Sequence, residues 1–277
     1  VESLQIKEVS DVEGGTGGRF IFHHAIWTTL DAASNPSRFG GWPVHEVGRN
    51  ADHFDPLAGR LLKAGDQVFF NSVHMHANGE DTTAHLRVGF KFHPKDYEPT
   101  KEVELLFFGN GPDIDIRGME DNQRMDAYFT LPENTKLSVY EPHMHAPGVR
   151  MCLEAVWGTT VQALNCSGYD HNWVRVYKYE DDAAPLLPKG TILHLTGYFN
   201  NTLTNPNVAD PRNWSGSGHR SVDNMFINLL QAIYMDDDEF AVEVAKRDAQ
   251  LQLTGGTDIG CLTCGTSAPA ATAGGGQ

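Results

Sequence analysis

The chain has 277 residues, 40% of them apolar and 21% charged, and a formal net charge of −15. No stretch approaches the roughly 18–20 consecutive apolar residues that span a bilayer, so a soluble protein is expected. The acidic balance repels phosphate backbones, and the 21 Lys and Arg form no basic run, which argues against nucleic acid as a partner. The length leaves room for one large all-β domain or two domains of roughly 100–150 residues.

Taken in chain order, short runs rich in Val, Ile, Phe, Tyr and Thr alternate with clusters of Gly, Pro, Asn and Asp from Arg19 to Met235. The runs predict strands over Arg19–Thr29, Gln67–Met75, His85–His93, Val103–Phe108, Met125–Leu131, Leu137–Pro142, Arg150–Val156, Thr160–Leu164, Trp173–Tyr179, Thr191–Phe199 and Asn224–Tyr234. Only Phe240–Leu251 carries helical periodicity. The fold class is therefore all-β. Two glycines and a proline near Gly109-Asn110-Gly111-Pro112-Asp113 set a domain boundary, giving one domain over residues 1–108 and a second over 109–245. Two similar phrases, Leu62-Lys63-Ala64-Gly65-Asp66 and Leu187-Pro188-Lys189-Gly190-Thr191, point faintly to a duplicated design. Residues 246–277 read as a flexible Gly/Ala-rich tail, ending Ala-Thr-Ala-Gly-Gly-Gly-Gln, too poor in apolar side chains to fold alone.

Of the four cysteines, Cys261 and Cys264 form a Cys-x-x-Cys in the tail, while Cys152 and Cys166 bracket the turn signal Trp157-Gly158-Thr159-Thr160. A hairpin centred on residue 159 places Cys152 opposite Cys166, so a disulfide is expected, with two buried thiols as the alternative. A disulfide favours an extracytoplasmic location, periplasmic or secreted. The chain begins at Val1 with no signal peptide, which suggests a processed product or a piece of a longer precursor.

The histidines carry the chemistry. They come as His23-His24, His74-Met75-His76 and His143-Met144-His145. Residues i and i+2 of a strand share a face, so His143 and His145 can offer two imidazoles to one metal without bending the backbone. Adjacent His23 and His24 point to opposite faces of a regular strand, and sharing a metal requires a bulge or a strand end there. Spacing alone does not name the metal. Two imidazoles with a carboxylate suit zinc or iron, as in cupin-like jelly rolls; two imidazoles with a thioether favour copper.

As an ordered set, these residues resemble the copper type II, ascorbate-dependent monooxygenases, the family of peptidylglycine α-hydroxylating and dopamine β-monooxygenases, and especially its bacterial members. Phe22-His23-His24-Ala25 looks like the family's His-His motif and Ser72-Val73-His74-Met75-His76 like its Val-His-aromatic-His strand, which selects His74 over His76. Glu141-Pro142-His143-Met144-His145 resembles the His-x-His motif, and Asp223-Asn224-Met225 resembles Asp-Glu-Met with one change. Tyr169-Asp170-His171-Asn172-Trp173, then Leu187–Thr191 and the loop over Asn200–Arg212, follow in the family's order.

The resemblance implies two jelly-roll-like β-sandwich domains in tandem and two coppers per chain. His23, His24 and His74 would hold the copper that supplies an electron. His143, His145 and Met225 would hold the copper at which O2 and an organic substrate meet and a C–H bond is hydroxylated. An external reductant is implied, either ascorbate or a haem protein such as a cytochrome. The chain starts close to the His23-His24 strand, so the family's first strands are expected to lie upstream or to be missing. Ser72, Phe226, Ile227 and Leu229 depart from the family's pattern, and its substrate contacts do not carry over. A non-catalytic copper-binding or electron-transfer subunit of a larger assembly is the alternative function.

Overall fold

The computed structural model describes residues 1–10, 21–75, 81, 83–220 and 222–251, with side chains for all of these except Ser10 and residues 37–40. The first part of the chain contributes β1 (Ser3–Ser10), β2 (Phe22–Leu30), β3 (Pro36–Gly41), β4 (His45–Glu46), β5 (Ala51–His53), β6 (Ala58–Gly59), β7 (Gln67–Met75), β8 (Ala84–Lys91) and β9 (Lys101–Glu102). The second contributes β10 (Glu104–Gly109), β11 (Glu120–Thr130), β12 (Asn134–Tyr140), β13 (Pro142–Met144), β14 (Gly148–Trp157), β15 (Thr160–Gly168), β16 (Tyr177–Lys178), β17 (Leu186–Leu187), β18 (Ile192–Asn201) and β19 (Phe226–Met235), followed by α1 (Asp237–Leu251). The all-β expectation holds.

The first sandwich faces a β5-β1-β8 sheet against a β3-β2-β4 sheet, with β7 paired to β2. Trp27 and Trp42 stack between them with ring centroids 5.2 Å apart, and Phe90 closes on both. Each indole N–H is satisfied, Trp27 donating to the Pro43 carbonyl and Trp42 to the Thr29 hydroxyl, so these large rings can be fully buried. The second sandwich faces β11-β18-β14-β15 against β10-β19-β12-β16. Alternating inward residues of its strands fill the core, among them Leu137, Met151, Leu153, Leu193, Leu195, Phe199 and Leu230.

Strand β10 straddles the boundary expected after residue 108, with all but Gly109 before it. It pairs with β19 from Glu104↔Ala232 to Gly109↔Ile227, so it belongs to the second sandwich. The sheet it enters serves both cores: Leu106 and Phe108 face the second, while Leu105 and Ile233 pack against the first. The sandwiches thus share a wall. Strand β1, which no sequence signal marked, pairs with β5 and β8 and supplies Leu4 and Ile6 to the first core.

The two repeated phrases fold alike. In each, a glycine with positive φ, Gly65 at 91° and Gly190 at 84°, sits third in a turn closed by a backbone hydrogen bond, Asp66 N–H to Lys63 and Thr191 N–H to Pro188. That is the position a type II turn reserves for glycine, and the turns lead into β7 and β18 respectively.

Cys152 and Cys166 form the expected disulfide, facing each other across the β14–β15 hairpin with Cα atoms 4.0 Å apart. Helix α1 starts three residues before the predicted position because Asp236 and Glu239 cap it reciprocally, each side chain accepting the other's backbone N–H at 2.9 Å. It runs through Leu251, so the stretch from 246 to 251 is helix rather than tail. Cys261, Cys264, His76 and the tail from 252 lie outside the described residues.

Candidate metal centre

Strand β2 brings His23 and His24 into the junction between the sandwiches. Its start is fixed by Glu8, whose carboxylate accepts the backbone N–H groups of Ile21 and Phe22. The register against β7 then slips between Phe22↔Met75 and His24↔His74, which makes His23 the extra residue of a bulge. A bulge is the irregularity two adjacent histidines need if both are to turn inward, and both are buried at 5% exposure. His24 lies directly across from His74, ring centroids 4.1 Å apart. His74 is half-buried.

From the other sandwich, β13 carries His143, which pairs with Ile227, and Met144, which pairs with Phe226. Met225, half-buried, directly precedes the β19 residue that pairs with Met144, and His145 directly follows Met144. The two expected clusters meet. His24 and His143 have centroids 5.8 Å apart, His143 and His145 5.6 Å, His145 and His171 6.1 Å, His171 and His23 4.5 Å, and His23 and His24 5.4 Å. Five buried imidazoles therefore close a ring that spans the junction, with His74 attached through His24.

Two of these rings meet an acceptor at Nδ1, and for His145 the contact fixes the tautomer. His145 Nδ1 lies 3.0 Å from the Asp223 carbonyl oxygen, which can only accept, so Nδ1 carries the proton and Nε2 is left with its lone pair. His143 Nδ1 meets the carboxylate of Glu46, a residue of β4 in the opposite sandwich that is 1% exposed. A carboxylate or carbonyl behind one ring nitrogen is what orients a metal-binding imidazole through the other. A second contact crosses the other way: Arg49 of the first sandwich pairs with Glu141, two residues before His143, and with Asp52, which also accepts from Gln231.

Burial sets the protonation state. It pushes the His24 imidazole down to about 3, with His143 adding to the effect, and the His145 imidazole down to about 4. His74 is lowered by burial and then by His219 and His143. Burial alone would raise the Glu46 carboxyl, but His143 and then His24 and Arg49 hold it below the ordinary range. Neutral imidazole is the form that binds metal.

Clustered buried imidazoles are donors that suit a soft or borderline metal ion, and His24 Nδ1 and Glu141 Oε1 are buried and lack a hydrogen-bond partner among the described residues. Among those residues no three His, Cys, Asp or Glu side chains stand close enough to hold a metal ion without adjustment. Two imidazoles sharing an ion through ~2.0 Å bonds at tetrahedral angles hold their centroids about 5 Å apart, and the neighbouring rings here stand 4.1 to 6.1 Å apart. Beside the ring lies a cavity of about 460 Å³, lined by His171, Ala146, Val208, Trp214 and Asp223 among others.

Sequence reasoning missed His171 and Glu46. His171 stood within the Tyr-Asp-His-Asn-Trp segment but carried no ligand spacing, and Glu46 had no signal at all.

No family model and no curated protein matches the chain. Similar solved structures include that of the infectious bursal disease virus Gx strain, at 10% identity over 86% of this chain and 57% of that one, with a TM-score of 0.25. The T13 viral particle of the same virus gives 8% identity over 86% and 55%, also at 0.25. The chain spans a little over half the length of these structures, and at such TM-scores the likeness carries no argument about fold or function.

Proposed function

We propose that the protein is a copper-dependent monooxygenase that works outside the cytoplasm. The observation that carries the reading is the ring of buried imidazoles in which His143 and His145 turn their Nδ1 atoms to a carboxylate and a carbonyl, beside a cavity large enough for a small organic molecule. Bound copper would activate O2 for hydroxylation of a substrate C–H bond, with electrons from ascorbate or a haem protein. His143, His145 and Met225 would hold one of two coppers, and His23, His24 and His74 the other. Glu46 and the Asp223 carbonyl orient His143 and His145, and burial keeps the His24 and His145 imidazoles unprotonated at neutral pH. The thioether of Met225 favours Cu(I), the state that meets O2. The Cys152–Cys166 disulfide supports the extracytoplasmic location.

The test is O2 uptake by the copper-loaded protein with ascorbate, in the wild type and in Met225→Ile. Uptake by the wild type that falls at least tenfold in the variant is expected. Two bound coppers without uptake in either protein would overturn the oxygenase reading and leave a copper-binding or electron-transfer subunit. Retention of a single zinc would favour the cupin-like alternative.

A further inference from the structure

Trp214 stands on the wall of the cavity of about 460 Å³, with 64% of its surface exposed. A single exposed indole means little by itself. What distinguishes this one is that it is held in place, while among the described residues no ring or cation stacks on it. We propose that Trp214 is a stacking platform and that the cavity takes as substrate an uncharged molecule carrying a flat ring. The proposal deepens the oxygenase reading by naming a substrate class, and it rests on that reading for the chemistry, though not for the binding.

The ring is fixed from several sides. Its Nε1–H donates to the Asp115 carboxylate at 2.6 Å, which sets the direction of the indole. The backbone on one side is anchored by the Asn213 carbonyl, which accepts the amide of the buried Asn201 at the end of β18. On the other side Ser215 exchanges two backbone hydrogen bonds with Ile116. The six-membered ring lies against Gly216, where an added Cβ would come within 2.8 Å of it, so only glycine leaves room for this seat. A ring ordered before its ligand arrives loses little side-chain freedom on binding.

The rest of the wall decides what can stack there. Asp223 and Asp210 both line the cavity, and each is neutralised through two hydrogen bonds from one guanidinium, that of Arg220 and that of Arg212 respectively. A charged ligand would have to break one of these bidentate pairs to find a partner. The Asn201 amide is likewise committed, to the Arg117 and Asn213 carbonyls. What the wall still offers is apolar: the indole face with Ala146, Pro147, Val208 and Val222. Ala146 directly follows His145, and the Asp223 carbonyl holds the His145 ring, so a molecule stacked in the cavity lies beside the second ligand cluster.

Calorimetric titration of the full chain with 2-naphthalenemethanol, without metal and again after copper loading, tests this. Saturable binding is expected in both states, about tenfold weaker in Trp214→Ala and within about threefold of the wild type in Trp214→Phe, which keeps a ring. Gly216→Ala keeps the indole but pushes it from its seat, and it is expected to weaken binding as well. Two further probes, 2-naphthoate with a charge on the same ring and cyclohexylmethanol with no aromatic ring, are expected to bind about fivefold more weakly or worse. No saturable binding, equal affinity in the wild type and Trp214→Ala, or tighter binding of 2-naphthoate would overturn the proposal. The copper content of the same samples separates it from the reading beneath: Trp214-dependent binding in a chain that retains no copper removes the oxygenase and keeps the platform, whereas retained copper without ring binding removes only the platform.

Discussion

The two sandwiches are held together by different means. The second has a deep core and an internal disulfide across its β14–β15 hairpin. The first has a smaller core, centred on Trp27 and Trp42 and completed by Ile233 borrowed from the shared wall, and its strand β7 leaves Phe69 and Met75 more than half exposed. What the first lacks in apolar burial it takes from the junction, where Arg49, Asp52, Asp55 and Glu46 reach across to Glu141, Gln231, Lys136 and His143. The imidazole ring lies in that junction, so site and stability depend on the same contacts.

The comparison can be broken at the junction. Arg49→Ala leaves Glu141 and Asp52 buried without their cation and is expected to lower stability by about 3–5 kcal/mol, read as the shift of the urea unfolding midpoint. Opening the second sandwich instead, with Cys152→Ser and Cys166→Ser together, is expected to cost about 3 kcal/mol for a loop of this length and to leave the copper-to-protein ratio after loading equal to that of the wild type. Gly48→Ala tests the docking of the His171 segment on the first sandwich, since Gly48 has a φ of +95° and an added Cβ would meet the Val174 carbonyl oxygen at 2.4 Å. It is expected to cost about 1–3 kcal/mol in backbone strain. It is also expected to weaken copper retention, which a purely structural glycine would leave unchanged, because the neighbouring Val47 N–H holds the His23 carbonyl.

The smallest effect concerns pH. Lys136, 2% exposed in β12, bridges Asp55 of the first sandwich and Asp181 of the second. Burial opposes its charge, but the two carboxylates more than compensate and raise its pKa, while the hydrogen bond from Lys136 lowers that of Asp181. A raised lysine contributes stability that is complete below its unfolded value of 10.5 and lost as pH climbs through the folded one; a lowered aspartate contributes stability that is complete above 3.8 and lost as pH falls through its folded value. Thermal unfolding across pH should therefore show the wild type losing its advantage over Lys136→Met at both extremes. A constant difference would mean that the bridge contributes nothing.

Legibility in the sequence followed the range of the interactions. Strand β7 coincides with its predicted span Gln67–Met75, because alternation and a preceding glycine turn are local signals. The Cys152–Cys166 pairing followed from a hairpin centre, also local. Trp173–Tyr179 failed as a strand, leaving only Tyr177–Lys178, because Trp173 and Val174 are committed to docking on the Val47–Gly48 turn. The boundary after residue 108 was drawn at a Gly/Pro cluster, whereas the change of sheet occurs before Glu104 and is decided by pairing with a strand over a hundred residues away. The candidate histidines were legible as motifs, but their merging into one ring, and the parts played by His171 and Glu46, arise from contacts between sandwiches that no local spacing encodes.

The most direct test of a copper centre at this junction is the copper-to-protein ratio of the full chain after loading and exhaustive dialysis, compared with His24→Ala and His143→Ala. Two equivalents in the wild type and fewer in each variant is the predicted result. No retained copper in the wild type, or two equivalents in all three proteins, would contradict it.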